Sequence, residues 1–321
     1  MKRSNLSLLT LSLATTGLLL MTQPAVAFQE EEYTDEVISP REEVKHLLRV
    51  VSRNVGKAVS KRTPPAQQQA AFEGERTGLS TGDMTGQGLA AWMDAQYVHS
   101  KDDTANSKTS MYVTSLGVDK KLNNDLAIGT AVTYENVNEK FTNATTRNDI
   151  DSFTITPYVA YAYGDSWVFD AELGYSWVNE DRSTGVSFDT ERWFIGGNAT
   201  YYVQNTGNYD VSGRLSYFFS KEDQEAATGV AANVRSFSQI SGSVEVGYFL
   251  EKWEPYAGMT IERDLSYESG GTAYDNSGLS FTVGGRFNLS DTMFAEIAAS
   301  TEQGRNKFSQ NSILANLRME F

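Results

Sequence analysis

Histidine is scarce in this chain, which limits the catalytic chemistry open to it. The 321 residues contain two histidines, His46 and His99, and no cysteine. His99 precedes Asp102 and Asp103, and a histidine beside carboxylates can act as a general base. No GxSxG, HExxH or phosphate-loop motif accompanies it, and a histidine beside loop acids is more often only solvated. We therefore expect no catalytic residue, no cofactor and no metal site.

Acidic residues outnumber basic ones by 41 to 27, and the formal net charge is −14. Nucleic acid would be repelled by such a surface, so we expect no nucleic-acid partner. Glu222, Asp223 and Glu225 form a local acidic group. Their spacing is not that of a calcium loop, and a solvated charged segment is the better interpretation.

From Gly88 onwards apolar and polar residues alternate with period two, in segments of the length of a strand. In residues 167–178 the apolar face begins with Trp167 and ends with Trp177. One such strand does not separate a soluble sandwich from a membrane barrel. Aromatic residues at both ends, however, resemble two interfacial girdles around a lipid-facing band.

The charged residues of these segments fall on the face opposite the apolar one. A polar interior makes a poor packed core but suits a lumen that holds water or a polar helix. Charges paired across neighbouring strands are one interpretation, and the preferred one for most of them. A conduit whose acidic excess favours cations or holds a basic helix is the other. The candidate lumen-lining residues are Asp170, Glu172, Arg214, Glu245, Glu262, Asp264, Arg286, Glu296 and Arg318.

Arg214, Arg286 and Arg318 are the most informative of these candidates. Each is an isolated cation among many acids, so each is expected to set the local order of the lumen.

Short and long polar breaks alternate between the apolar segments. Counting segments between breaks predicts about twelve strands, an even number, as in bacterial outer-membrane barrels. Short turns would then face the periplasm and long loops the exterior. The proposed short turns are 122–125, 164–166, 205–208, 251–252 and 289–291, and the longer stretches are 101–107, 138–148, 179–190, 221–233, 268–276 and 302–310.

The first residues have the features of a secretory signal. Lys2 and Arg3 precede an apolar run over residues 8–21, and Ala25 and Ala27 supply a small-x-small cleavage pattern. We predict a signal peptide over residues 1–27. An uncleaved anchor is the alternative, but the run is shorter than the ~20 residues that a spanning helix needs. Export without cysteine indicates a bacterial envelope protein.

Residues 28–87 combine an acidic start, a predicted amphipathic helix and a linker. Residues 42–62 carry apolar side chains at helical spacing and end on Lys57, Lys61 and Arg62. Thr63-Pro64-Pro65 ends this helix, and residues 67–87 are typical of a linker. A surface helix on a tether and a helix that enters or caps a pore both remain open.

The last strand alternates up to the C-terminal Phe321. Such a strand resembles the signal read by the outer-membrane barrel assembly machinery, which would here comprise Leu317, Met319 and Phe321. Together with further motifs it is similar to the β-domain of autotransporters over residues 88–321. The motifs are Gly88-Leu-Ala-Ala-Trp92, Leu116-Gly-Val-Asp119, Ile128-Gly-Thr-Ala131, Phe153-Thr-Ile-Thr-Pro-Tyr158, Pro255-Tyr-Ala-Gly258 and Asn316-Leu-Arg-Met-Glu-Phe321.

This resemblance implies an all-β membrane protein: a twelve-stranded antiparallel transmembrane β-barrel with an N-terminal amphipathic helix threading its lumen. Its function would be that of an outer-membrane translocator forming a polar pore. Autotransporters usually carry a long passenger, but here only residues 28–87 precede the predicted barrel, so we expect a passenger that is short or absent. The implied partners are outer-membrane lipid, the barrel assembly machinery and periplasmic chaperones, and the implied state is a monomer. A passive porin, a soluble secreted β-sandwich and a surface adhesion module are the alternatives.

Overall fold

Twelve antiparallel strands close into a single barrel in the computed structural model. The structure describes Lys45, His46, Val51, Arg53, Asn54, Val59 and residues 88–321, apart from 104, 143–145, 205, 228–230, 251 and 269–275. Each strand pairs with its neighbours in sequence, and the first strand pairs with the last. The strands are β1 (Leu89–Asp102), β2 (Ser107–Lys121), β3 (Leu126–Phe141), β4 (Arg147–Tyr163), β5 (Trp167–Arg182), β6 (Ser187–Tyr202), β7 (Tyr209–Gln224), β8 (Asn233–Tyr248), β9 (Trp253–Glu268), β10 (Ser277–Ser290), β11 (Met293–Gln303) and β12 (Phe308–Glu320).

The barrel is inverted relative to a soluble protein. Large apolar side chains face outward, so that Leu116 is 58% and Val283 61% exposed, whereas Thr133 and Ser176 face inward and are fully buried. Strict alternation of exposed and buried residues runs through β4 and most of β5. An apolar outer surface with a polar interior is the arrangement of a barrel that spans a lipid bilayer. The predicted strand number is confirmed.

The outward face changes from apolar to polar partway along several strands. On β5 the apolar run ends at Trp177, and Asn179 and Asp181 follow it on the same face; on β3, Lys140 lies on the same face as Tyr134. The apolar band therefore lies nearer to the short turns than to the opposite rim. We call these two ends of the barrel the turn end and the loop end.

Most of the predicted long loops are shorter than expected, whereas the predicted stretch 268–276 agrees with the structure to within one residue. The chain between strands at the loop end covers 103–106, 142–146, 183–186, 225–232, 269–276 and 304–307. Much of the polar sequence assigned to loops belongs to strands that continue beyond the apolar band. Polarity in these segments marks the point where the outer face leaves the lipid, not the point where the strand ends. At the turn end the predicted positions agree to within a few residues, with breaks at 122–125, 164–166, 203–208, 249–252 and 291–292.

Inward-facing aromatic rings lie over glycines of the neighbouring strand. Phe194 is directly opposite Gly174, and a Cβ atom added at Gly174 would lie 2.0 Å from the ring atom Cζ. A side chain there would displace the ring, so glycine allows the ring to lie against the neighbouring strand. The other pairs of this kind are Trp92 with Gly117, Tyr158 with Gly129 and Tyr256 with Gly284.

The substitution Gly174→Ala should destabilise the barrel by about 1–3 kcal/mol, because the new methyl group overlaps the Phe194 ring. Thermal unfolding in detergent, followed by the gel shift between folded and unfolded forms, measures this effect. Gly197→Ala is the control, since its nearest atom would be 3.9 Å away. Equal midpoints for the two variants would show that the ring does not need the glycine.

Candidate functional site

Six described residues of the N-terminal segment lie inside the barrel in helical conformation: Lys45, His46, Val51, Arg53, Asn54 and Val59. All but Arg53 are buried almost completely. The first and last of them, Lys45 and Val59, are 14 positions apart in the sequence. In the part of the chain that the structure describes, no helix has the length and apolar character needed to cross a membrane.

The first helical residues contact the loop end of the lumen. The Nζ atom of Lys45 lies 2.7 Å from Glu262 Oε2 and also bonds to Glu302. The Nε atom of Arg305 donates to the other oxygen of Glu302 over 2.8 Å. Since Glu302 lies at the end of β11 and Arg305 lies in the β11–β12 connection, two carboxylates hold Lys45 near the loop end of the barrel.

His46 is held between two glutamines of neighbouring strands. Its Nδ1 atom lies 3.1 Å from Gln96 Nε2, and its Nε2 atom 3.2 Å from Gln310 Oε1. An amide nitrogen donates and an amide oxygen accepts, so the ring accepts at Nδ1 and donates at Nε2. The imidazole thereby links the N-terminal segment to β1 and β12 of the wall.

The later helical residues contact the middle of the lumen and its turn end. Asn316 Nδ2 donates to Asn54 Oδ1 over 2.9 Å, and Arg53 Nε lies 3.9 Å from Glu296 Oε1. Val51 and Val59 belong to an apolar cluster of the inner wall. The wall residues of this cluster are Trp92, Ala127, Ala131, Tyr158, Ala160, Ala162 and Val168, several of them beside the short turns. The helix thus runs from the loop end at Lys45 towards the turn end at Val59.

Each predicted arginine has acidic partners across the lumen wall. Arg318 makes two bonds to Asp119, of 2.8 and 2.9 Å, and a third of 3.3 Å to Glu320. Arg214 Nη2 lies 3.3 Å from Asp170 Oδ2. Such pairs satisfy charges that burial would otherwise make costly.

Arg286 joins three strands of the wall. It contacts Glu254 at 2.7 Å, bonds to Glu245, and places its guanidinium carbon 4.1 Å from the centroid of the Tyr256 ring. The hydroxyl of Tyr256 donates to Glu296 over 2.5 Å. A cation over an aromatic face adds to the ion pairs and orders this side of the lumen.

The remaining predicted lumen residues also face inward. Glu262 contacts Lys45, and Asp264 accepts from Arg305 Nη1 over 2.8 Å. Glu172 differs from these: it is buried, and its Oε2 atom makes no hydrogen bond in the described part of the chain. Glu172 lines a cavity of about 290 Å³ beside the helix.

Sequence reasoning missed several charged residues of the lumen. Arg192 bonds to Glu222 and lies 3.7 Å from Glu135, with all three side chains buried. Glu222 was interpreted as a solvated loop acid, which is wrong, because β7 continues to Gln224 and turns Glu222 inward. Extending the alternation into the polar ends of the strands would have found these residues.

The structure does not bring His99 together with Asp102 and Asp103 as a catalytic site. His99 is exposed on the outer face, with Nδ1 3.3 Å from Ser110 Oγ. Asp102 accepts from the backbone of Ala105, and Asp103 pairs with Lys101. Among the described residues, no group of three or more histidine, aspartate or glutamate side chains is arranged to hold a metal ion.

The terminal strand has the predicted orientation. Leu317, Met319 and Phe321 face outward, and the backbone nitrogen of Phe321 donates to Leu89 O over 2.8 Å. Their role as an assembly signal stays a prediction. The predicted signal peptide with Ala25 and Ala27, the basic helix end at Lys57, Lys61 and Arg62, and the linker 67–87 lie outside the described residues.

Comparison with solved structures identifies the fold. The translocator domain of the autotransporter NalP from Neisseria meningitidis matches with a TM-score of 0.65 at 12% identity, over 87% of this chain and 98% of that one. The β-domain of the Bordetella autotransporter BrkA gives 0.63 at 10% identity, over 73% and 99%. The transport unit of AIDA-I from Escherichia coli gives 0.56 at 10%, over 81% and 99%.

The chain is thus an integral β-barrel of the bacterial outer membrane with a polar lumen. Residues 84–192 match the family model of the autotransporter β-domain. This part of the chain is thus similar to the autotransporter β-domain, and the whole barrel has the fold of autotransporter translocator domains. No curated protein sequence matches the chain.

Removing the charge of Lys45 should loosen the helix in the lumen. In Lys45→Met two buried carboxylates lose one of their two cations, since Arg305 remains beside both, and breaking a buried ion pair costs about 3–5 kcal/mol. We expect more frequent channel openings and a larger mean conductance in planar bilayers. Lys252→Met, at an exposed lysine of the turn end, is the control. Identical conductance traces for both folded variants would contradict a plug held by Lys45.

Proposed function

We propose that the barrel carries the part of the chain before Lys45 across the outer membrane and holds it at the cell surface, with the helix remaining in the lumen as a plug. The observation that carries this proposal is the direction of the helix. Lys45 lies at the loop end, whereas Val59 packs near the turn end, where β1 also begins.

The proposed path follows from the ends of the barrel. In outer-membrane barrels the short turns face the periplasm and the longer loops face the exterior. A chain that enters the lumen from the turn end and leaves it beyond Lys45 reaches the outer side. In this sequence the segment after the predicted signal peptide is short and acidic, with Glu30, Glu31 and Glu32 near its start. The barrel would therefore display a small segment at the surface.

The polar lumen suits this task. Its inner wall is rich in serine, threonine and paired charges, so a passing extended chain would bury little apolar surface against it. After passage, the helix is retained by specific contacts of Lys45, His46 and Asn54 with the wall. The names of similar structures, a translocator domain and a transport unit, support the same role.

A passive porin is a less favoured function. Solutes would need a continuous aqueous path, but helical residues occupy the lumen, and the cavity beside them measures about 290 Å³. We assign no catalytic step to the chain, since both ring nitrogens of His46 bond to glutamines and His99 faces outward.

The partners that we propose follow from the barrel surface and its last strand. Outer-membrane lipid covers the apolar band, and the barrel assembly machinery and periplasmic chaperones act on the strand that ends at Phe321. The protein would work as a monomer, because the barrel closes on itself and leaves no strand edge for a second copy.

Surface labelling tests the path. The chain has no cysteine, so single-cysteine variants can be labelled without background. Ser39→Cys, before the helix, should react with a membrane-impermeant maleimide on intact cells, as should Ala226→Cys in the β7–β8 connection. Asn124→Cys, in a short turn, should react only after permeabilisation.

The pattern of labelling distinguishes a wrong path of the N-terminal segment from a wrong orientation of the barrel. Reaction at Ala226→Cys without reaction at Ser39→Cys would place the N-terminal segment in the periplasm and reject the proposed path. Reaction at Asn124→Cys on intact cells would instead reject the orientation of the barrel.

A further inference from the structure

Four basic side chains form a continuous line across the outer face of β1 to β4, near the loop end. Lys101 lies opposite Lys108, Lys108 opposite Lys140, and Lys140 opposite Arg147. Residues directly opposite in an antiparallel sheet point to the same face, and all four are exposed. With strands about 4.8 Å apart, this basic row is about 14 Å long.

Such a row is unfavourable on its own. Like charges directly opposite each other destabilise a pair of strands, and here three such pairs follow one another. The formal net charge of −14 shows that cations are not in general excess in this chain. At the centre of the row, the side chains of Lys108 and Lys140 make neither a hydrogen bond nor an ion pair within the described part of the chain. An external anion would remove the repulsion.

The ends of the row are already compensated. Lys101 Nζ lies 2.7 Å from Asp103, and Arg147 Nη2 lies 2.7 Å from Asp149. The uncompensated charge is therefore concentrated at the centre of the row, and an anion bound there would have exposed cations on both sides.

The height of the row points to the headgroup region of the membrane. On β1 the lipid-facing aromatic Tyr97 precedes Lys101 by four residues, which is about 13 Å along the strand. On β3 the last outward aromatic, Tyr134, also lies below Lys140. Outward tyrosines mark the border between hydrocarbon and headgroups, so the basic row lies just beyond it.

The row is confined to one side of the barrel. Near the loop end of β5 to β7, the outer face carries several acidic residues, which are Asp181, Asp189, Glu191 and Asp223. A general attraction of the whole rim to the membrane surface would not require the cations to cluster on one side. A localised binding site for an anion requires such a cluster.

We propose that the basic row binds a phosphate-bearing headgroup of the outer-leaflet glycolipid. Phosphate oxygens are strong acceptors for lysine and arginine, and a row of about 14 Å is long enough to contact more than one phosphate. The phosphate of the bound lipid would supply a negative charge beside Lys108 and Lys140. This inference rests on the loop end facing outward, as in the proposed function.

Binding to the purified full-length protein in non-ionic detergent tests the proposal. Lys108→Gln with Lys140→Gln should weaken the affinity for lipopolysaccharide about 30-fold, from roughly 1 kcal/mol for each cation near an anionic surface. The wild-type protein should lose a similar factor when the glycolipid is dephosphorylated. Lys120→Gln with Lys252→Gln, at exposed lysines of the turn end, should bind like the wild type.

Three outcomes would overturn the proposal. One is an unchanged affinity of the row variant, shown to be folded by its gel shift. Another is equal binding of the dephosphorylated glycolipid. The third is competition by inorganic phosphate at concentrations similar to those of the glycolipid, which would indicate a site for free anions. Because binding in detergent does not depend on barrel orientation, these results are independent of the labelling test.

Discussion

Closure of the sheet between β1 and β12 is the constraint on which the rest of the molecule depends. In lipid each backbone donor and acceptor needs a partner within the protein, and only a closed barrel gives a sheet that condition. Here β12 pairs with β1 along its whole length, from Phe308 opposite Asp102 to Glu320 opposite Ala90. Closure forces one face of every strand towards lipid and the other into a common lumen.

The size of that lumen determines what it contains. A barrel of twelve strands is wider than its own side chains can fill. The six described helical residues between Lys45 and Val59 occupy part of the space, and hydroxyl groups and paired charges line the rest. Each buried cation described above lies beside carboxylates, because an isolated buried charge would be far more costly. The same contacts that satisfy these charges also fix the helix.

Periodicity alone predicts much of this architecture. A two-residue period predicts which side of each strand faces lipid, and in the structure Asp170, Glu172 and Arg318 are buried on the inner side. It does not report where a strand stops, since polar residues occur both in loops and on the part of a strand beyond the lipid. The assignment of Glu222 to a loop failed for that reason.

Ion pairs between residues far apart in the chain cannot be predicted from a single sequence. Arg318 and Asp119 are 199 residues apart, and Lys45 and Glu302 are 257 apart. Only the register and closure of the barrel bring them together. Sequence reasoning sought the helix contacts at Lys57, Lys61 and Arg62, whereas the described contacts come from Lys45, His46, Arg53 and Asn54.

The most direct test of the account is a disulfide between the helix and the inner wall. Asn54 and Asn316 are joined by a hydrogen bond of 2.9 Å, so Asn54→Cys with Asn316→Cys should cross-link under mild oxidation in intact outer membranes. Asn54→Cys with Gln310→Cys, whose wall position contacts His46 instead, is the control for register. The account predicts a cross-link in the first pair and none in the second. Absence from both, or equal yield in both, would contradict a helix held in this position inside the barrel.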